Sequence, residues 1–120
     1  HINDTYGHIM GDTVLKEVSK KITSLLRSYD CVGRYGGEEF LIILGETNTT
    51  EALLITERIR QAISELKFEQ NDNIFSLTMS FGLSCSDNIS HSKSEETLLL
   101  EADGALYHAK DQGRNRVCMA

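Results

Sequence analysis

The chain has 120 residues and no proline. It also lacks internal repeats and low-complexity segments, so nothing in it reads as a linker. Cysteine is scarce: Cys31, Cys85 and Cys118 are odd in number, far apart and without C-x-x-C spacing. That pattern suggests neither a zinc site nor a disulfide framework, and it fits buried or inert thiols in a reducing cytosol. No apolar run approaches the ~18 residues that a membrane-spanning helix needs. No signal-peptide pattern stands at the start. Basic charge is short as well. Twelve Lys and Arg face eighteen Asp and Glu, for a net charge of −6. Nucleic-acid binding, which wants a basic face, is disfavoured.

What is present is a chain of ordinary domain size, long enough for a real core. Hydrophobic residues make up 40% and charged residues 25%, near the globular norm. Residues 1–120 read as one domain. His1 to Asp12 is polar and loop-like, and Asp12 stands where an N-cap would. Val14, Leu15, Val18, Ile22, Leu25 and Leu26 recur at helical spacing and predict a helix from Thr13 to Ser28. Asn48-x-x-Glu51 has the form of a helix-start signal. Ala52, Ile55, Ile59, Ala62, Ile63 and Leu66 then mark a second helix. Glu69 to Asn73 reads as a polar loop. Ser76 to Ser84 alternates with period two, as a half-buried strand does. Ser86 to Ser94 reads as a loop ending in a capping box, Ser92-x-x-Glu95. Leu98, Leu99, Ala102, Ala105, Leu106 and Ala109 define a third helix that Gly113 is placed to stop. Asn115 to Met119 closes the chain as a short strand. Strands alternating with helices imply an α/β arrangement, with helices covering a sheet.

The most informative stretch is Arg34-Tyr35-Gly36-Gly37-Glu38-Glu39-Phe40. Cys31 to Tyr35 and the apolar run Phe40 to Leu44 are the arms of a hairpin. Two adjacent glycines leave the turn backbone bare, so a ligand can approach it closely. Two carboxylates follow directly. Either this is a Gly-Gly turn with solvated glutamates, or it is a turn built for phosphate and a hard divalent cation.

Gly36-Gly37-Glu38-Glu39-Phe40 resembles the signature of the GGDEF family, the diguanylate cyclases. Asn3-Asp4-Thr5-Tyr6-Gly7-His8 with Gly11-Asp12 is similar to the family's first block. Ala102-Asp103, Ala105-Leu106-Tyr107, Ala109-Lys110 and Gly113-Arg114-Asn115 are similar to its last. The blocks occur in the family's order over essentially the whole chain. The resemblance implies an α+β sandwich, ferredoxin-like, of the nucleotidyl-cyclase and polymerase-palm type. In order, it is helix, hairpin, helix, strand, helix, strand.

The resemblance also implies a reaction: two GTP molecules condense into cyclic di-GMP and release two pyrophosphates. The negative net charge would repel a nucleoside triphosphate unless a metal and placed cations compensate locally. Mg2+ or Mn2+ is the implied cofactor. Glu38 is the expected catalytic residue and metal ligand, and Glu39 the second catalytic candidate, with a solvated turn charge as the other reading. Gly36 and Gly37 would lie against phosphate. Asn3 and Asp12 correspond to the guanine-reading pair, suited to an edge that offers N–H donors. Lys110 and Arg114 match the phosphate-binding cations, although a basic pair at a helix C-terminus also complements the dipole. Arg27 and Asp30, in Arg27-Ser28-Tyr29-Asp30, match the inhibitory product site, and Arg58 resembles its accessory arginine. A guanidinium suits phosphate or guanine there.

In the family the first block follows a strand that bears a metal-binding aspartate and leads into a Phe-Lys pair. The chain begins with His1, after that pair, so it is expected to be an incomplete copy of a larger protein. Its neighbouring strands would then have unpaired edges, and its activity alone would be impaired. One domain holds one GTP, so the active form is expected to be a homodimer. An upstream sensory or receiver domain would control it. The expected location is cytoplasmic, and an inner-membrane anchor in the full-length protein is compatible with it. The alternative is a catalytically inactive receptor module that binds GTP or cyclic di-GMP.

Overall fold

The computed structural model describes residues 8–86 and 94–120, with side chains from residue 10 onward. Its elements run α1 (His8–Leu25), β1 (Cys31–Arg34), β2 (Phe40–Ile43), α2 (Thr49–Ser64), β3 (Phe68–Gln70), β4 (Asn73–Phe75), β5 (Phe81–Leu83), α3 (Glu95–Asp111) and β6 (Val117–Met119). This is the expected mixed α/β order with one addition, a second hairpin. The chain divides into two compact units: His1–Gly45 with Glu65–Ser76, and Glu46–Ser64 with Leu77–Ala120.

In the first unit, α1 carries the core. Gly11, Val14, Leu15, Val18 and Ile22 form its buried stripe, and the helix packs against β1. A fully buried Val or Ile stabilises by about 1.5–3 kcal/mol. The helix begins at His8, not Thr13, so Asp12 lies inside it and is not its N-cap. A helical glycine costs about 1 kcal/mol relative to Ala. Gly11 is buried in line with Val14, Leu15 and Val18. The helix ends at Leu25, short of the expected Ser28. Thr23 Oγ1 donates to the Ser19 carbonyl and Ser24 Oγ to that of Lys21, a competition that weakens the helical ladder. The Arg27 N–H then turns to the Asp30 carboxylate at 2.9 Å.

β1 and β2 pair antiparallel, from Cys31 opposite Ile43 to Arg34 opposite Phe40. β3 and β4 form the hairpin where the sequence reads as a polar loop. Asn71 and Asp72 both have positive φ, 51° and 69°. Both central residues of a type I′ turn need that conformation, and Asn and Asp tolerate it. Phe68 and Phe75 face each other across the pair and stack at 5.5 Å.

In the second unit, α2 starts as its sequence predicts. Asn48 Oδ1 accepts the Glu51 N–H at 2.8 Å, and the Asn48 amide donates to Glu51 Oε1 at 3.3 Å. Ala52, Thr56, Ile59 and Ile63 are buried at helical spacing. Thr56 satisfies its hydroxyl on the Ala52 carbonyl at 2.7 Å. β5 and β6 pair in parallel, and α3 is the crossover that a parallel pair requires. α3 packs against both strands, with Ala105 and Ala109 buried. Contact with β5 is so close that a Cβ at Gly82 would lie 2.1 Å from the Ala102 carbonyl oxygen. Glycine is therefore required there.

The strand expected over Ser76–Ser84 is ordered as a ladder only at Phe81–Leu83. Leu77 and Met79 are half-buried between exposed Ser76 and Thr78. Burial alternates only over residues 76–79, and residues 79–85 are all half-buried, so the pattern neither extends along the segment nor requires backbone pairing. The N-cap of α3 is Ser94, whose side chain accepts the Thr97 N–H at 3.1 Å. Ser92, the expected cap, lies outside the described residues, as does most of the expected 86–94 loop. Gln112 is the C-cap, and Gly113 has φ 120°. The Arg114 N–H reaches back to Ala109 O at 2.9 Å and the Gly113 N–H to Lys110 O at 3.4 Å, the paired bonds of a Schellman motif.

Candidate active site

The Gly36–Glu39 turn is built almost wholly by backbone. Tyr35 N–H donates to Glu39 O at 2.9 Å, and Glu39 N–H to Gly36 O at 3.1 Å. Gly36 has φ 115°, a conformation that favours glycine. Gly37 is different. It has no positive φ, and a Cβ placed on it would meet nothing within 4 Å. The chain's own backbone and packing therefore do not require a glycine there, as they do not at Gly33 or Gly104. The Arg34 guanidinium donates to the Gly37 carbonyl and braces the turn from the end of β1. Sequence reasoning gave Arg34 no role of its own, although the contact is local, three residues along the chain. Glu38 and Glu39 are exposed at the tip.

Asp12 is exposed on α1. With Leu15, Lys16, Ser19 and Arg34 it lines an open groove of about 850 Å³. Within this unit, Asp12 and the residue that braces the glycine turn thus share one groove. The groove holds the basic side chains Lys16, Lys20 and Arg34, a local compensation for the chain's negative balance. Asn3, the other expected base reader, lies outside the described residues, as does Asp4.

Arg27 and Asp30 form a knot. Arg27 Nε and Nη2 grip the Asp30 carboxylate at 2.8 and 3.0 Å. The backbone N–H groups of Arg27 and Gly45 donate to the same carboxylate at 2.9 and 3.0 Å. Arg27 also donates to the Gly45 carbonyl at 3.3 Å and lies 4.6 Å over the Tyr29 ring, a cation–π placement. The Asp30 side chain is fully shielded and that of Arg27 is 29% exposed. The Arg27 hydrogen bond holds the Asp30 carboxyl below its usual range, against the opposing effect of burial.

In the second unit, Lys110 and Arg114 are exposed at and just beyond the end of α3, and Arg58 is exposed on α2. Arg60, also on α2, is engaged. It grips Glu57 from Nε at 2.9 Å and donates to Asn115 Oδ1 at 2.7 Å.

Among the described residues no group of three or more His, Cys, Asp or Glu side chains is placed to hold a metal ion. The carboxylates of Glu38 and Glu39 still suit Mg2+, which takes one or two carboxylates and completes its shell with water and substrate phosphate. Among the described residues no helix is long and apolar enough to cross a membrane.

The family described as Diguanylate cyclase, GGDEF domain matches residues 1–116. The chain is 42% identical over 120 residues to diguanylate cyclase A of Treponema denticola, covering 100% of this chain and 32% of that protein. It therefore spans about a third of that curated relative. Diguanylate cyclase SiaD of Pseudomonas aeruginosa, solved with its activator SiaC, superposes with a TM-score of 0.90 at 36% identity, over 99% of this chain and 45% of that one. The GGDEF domain of DgcB from Caulobacter crescentus, solved with c-di-GMP, gives 0.88 at 30% identity, over 98% and 69%. With its glycine turn intact and its blocks in order, the chain belongs to the GGDEF family of diguanylate cyclase domains.

Proposed function

We propose that the protein containing this chain is an active diguanylate cyclase that joins two GTP molecules into cyclic di-GMP. The observation that carries the reading is Gly37, a glycine that the chain's own conformation and packing do not require, directly before two exposed carboxylates. In each half-reaction a ribose 3′-hydroxyl attacks an α-phosphate in line, a P–O bond forms, and pyrophosphate leaves. Bound divalent cations neutralise phosphate charge and acidify an attacking hydroxyl in chemistry of this kind. Glu38 would hold the cation and accept the hydroxyl proton, with Glu39 beside it. Gly36 and Gly37 would let phosphate approach the backbone, and Arg34 would keep the turn in place. Asp12, with Asn3, would accept from the N–H edge of guanine. Lys110 and Arg114 would bind phosphate.

Two GTP molecules require two sites, so the working form would be a homodimer under control of further domains of the longer protein, in the cytoplasm. Product would inhibit at the Arg27–Asp30 knot, with Arg58 as an accessory. The solvent-reachable half of that knot is Arg27, so Arg27 would contact the ligand and Asp30 would orient it.

The test is chromatography of nucleotides after incubating the full-length protein with GTP and magnesium. Cyclic di-GMP is expected. No product, together with tight cyclic di-GMP binding that depends on Arg27, would instead make the protein a receptor.

A further inference from the structure

The turn after α3 has a backbone shape that local preference does not explain. Arg114 and Asn115 both have positive φ, 64° and 48°. Asn tolerates that conformation, but for Arg114 it is disfavoured and persists where surrounding structure over-determines it. Two sets of contacts do so. One is local: the Arg114 N–H bonds to Ala109 O, and Arg116 Nε donates to Arg114 O at 3.1 Å. The other comes from α2, 55 positions away, where Arg60 Nη1 donates to Asn115 Oδ1.

Arg60 is itself fixed. Its Nε and Nη2 grip both oxygens of Glu57 at 2.9–3.1 Å, and its side chain is only 20% exposed. With Nε, Nη1 and Nη2 all engaged, it is poorly placed to bind an anion directly. Arg114, by contrast, is exposed, and its direction depends on the backbone that Asn115 anchors.

We propose that Glu57, Arg60 and Asn115 form an anchor that positions Arg114, so that Arg60 raises affinity for the phosphate tail of a nucleotide without touching it. This rests on the phosphate-binding role given to Arg114 above. Arg60 is a positioning residue in this scheme, and Asn115 is the point at which it acts.

The test measures binding of inorganic pyrophosphate to the full-length protein by calorimetry, with magnesium present, alongside cyclic di-GMP formation. Arg60→Met is expected to weaken pyrophosphate binding about tenfold, the scale of coupling between residues of one network. It should have no further effect once Arg114→Ala is present. Asn115→Gly keeps the left-handed backbone available and removes the side-chain acceptor, with some added backbone freedom. It should reproduce the loss, and it serves if Arg60→Met fails to fold. Unchanged affinity in Asn115→Gly overturns the proposal. So does an Arg60→Met loss that persists in the Arg114→Ala background, or binding that ignores Arg114. Absence of cyclic di-GMP from the wild type would remove the cyclase reading alone. An Arg114-dependent affinity that needs Arg60 supports the anchor whichever way turnover falls.

Discussion

The Arg27–Asp30 knot and the Gly36–Glu39 turn lie in one unit, a few residues apart, and handle their carboxylates in opposite ways. Asp30 is shielded and accepts four hydrogen bonds, from Nε, Nη2 and the backbone N–H of Arg27 and from the backbone N–H of Gly45. Glu38 and Glu39 stand in solvent on a turn closed by backbone bonds. A carboxylate whose acceptor sites are filled within the chain mainly supports the fold. A carboxylate exposed at a turn can be reached from solvent. The two motifs are equally visible in sequence, and the structure separates their surroundings.

The contrast is tested most strongly by Glu38→Ala. Turnover of GTP should fall by about a thousandfold or more, in line with losing a group that acts in the transition state. Stability should shift by no more than ~0.5 kcal/mol, as at an exposed surface position. Asp30→Ala should behave in the opposite sense. Removing one member of a shielded ion pair leaves Arg27 and the Gly45 N–H without their acceptor, at a cost of roughly 3 kcal/mol, read as a lower urea midpoint.

The two glycines sharpen the same division. Gly36→Ala, at φ 115°, should destabilise by about 1–2 kcal/mol through backbone strain. Gly37→Ala should leave the urea midpoint nearly unchanged while raising KM for GTP, because the added methyl meets nothing in the chain and something only when nucleotide is bound.

The smallest effect is on acid stability. Asp30 has a folded-state pKa below its usual 3.8. Its stabilising contribution is therefore complete above 3.8 and is lost as pH falls from there toward the lowered value. Asp30→Asn should flatten the stability profile in that window, as measured by urea unfolding at stepped pH.

The helical stripes were the most legible part of the fold. Val14, Val18 and Ile22, and Ala52, Ile59 and Ile63, are buried as their spacing requires, because burial of one face is what creates the pattern. Helix starts were less legible. Gly11 and Asp12 look like a loop and a cap until packing places Gly11 in the core. The Asn71–Asp72 hairpin was hidden for a related reason. Asn-Asp is polar enough to read as a loop, and the signal that would have found it is Phe68 and Phe75 placed symmetrically about it.

Of the site, the glycine turn and its carboxylates were visible as residue types. The roles of Asp12, Lys110 and Arg114 came only from family resemblance. The resemblance marks Arg58 for the product site, a separate matter from the contact that Arg60 makes with Asn115, which had no sequence signal. No local pattern distinguishes two arginines two positions apart. Which one meets a turn 55 residues on is a property of the packed helix.

The most direct test reads turnover and stability on the same preparations of full-length wild type, Glu38→Ala and Asp30→Asn. Glu38→Ala is expected to abolish cyclic di-GMP formation with its urea midpoint unmoved, while Asp30→Asn lowers the midpoint and keeps turnover per folded molecule. A Glu38→Ala protein that destabilises as much as Asp30→Asn and still turns over GTP when folded would contradict that expectation.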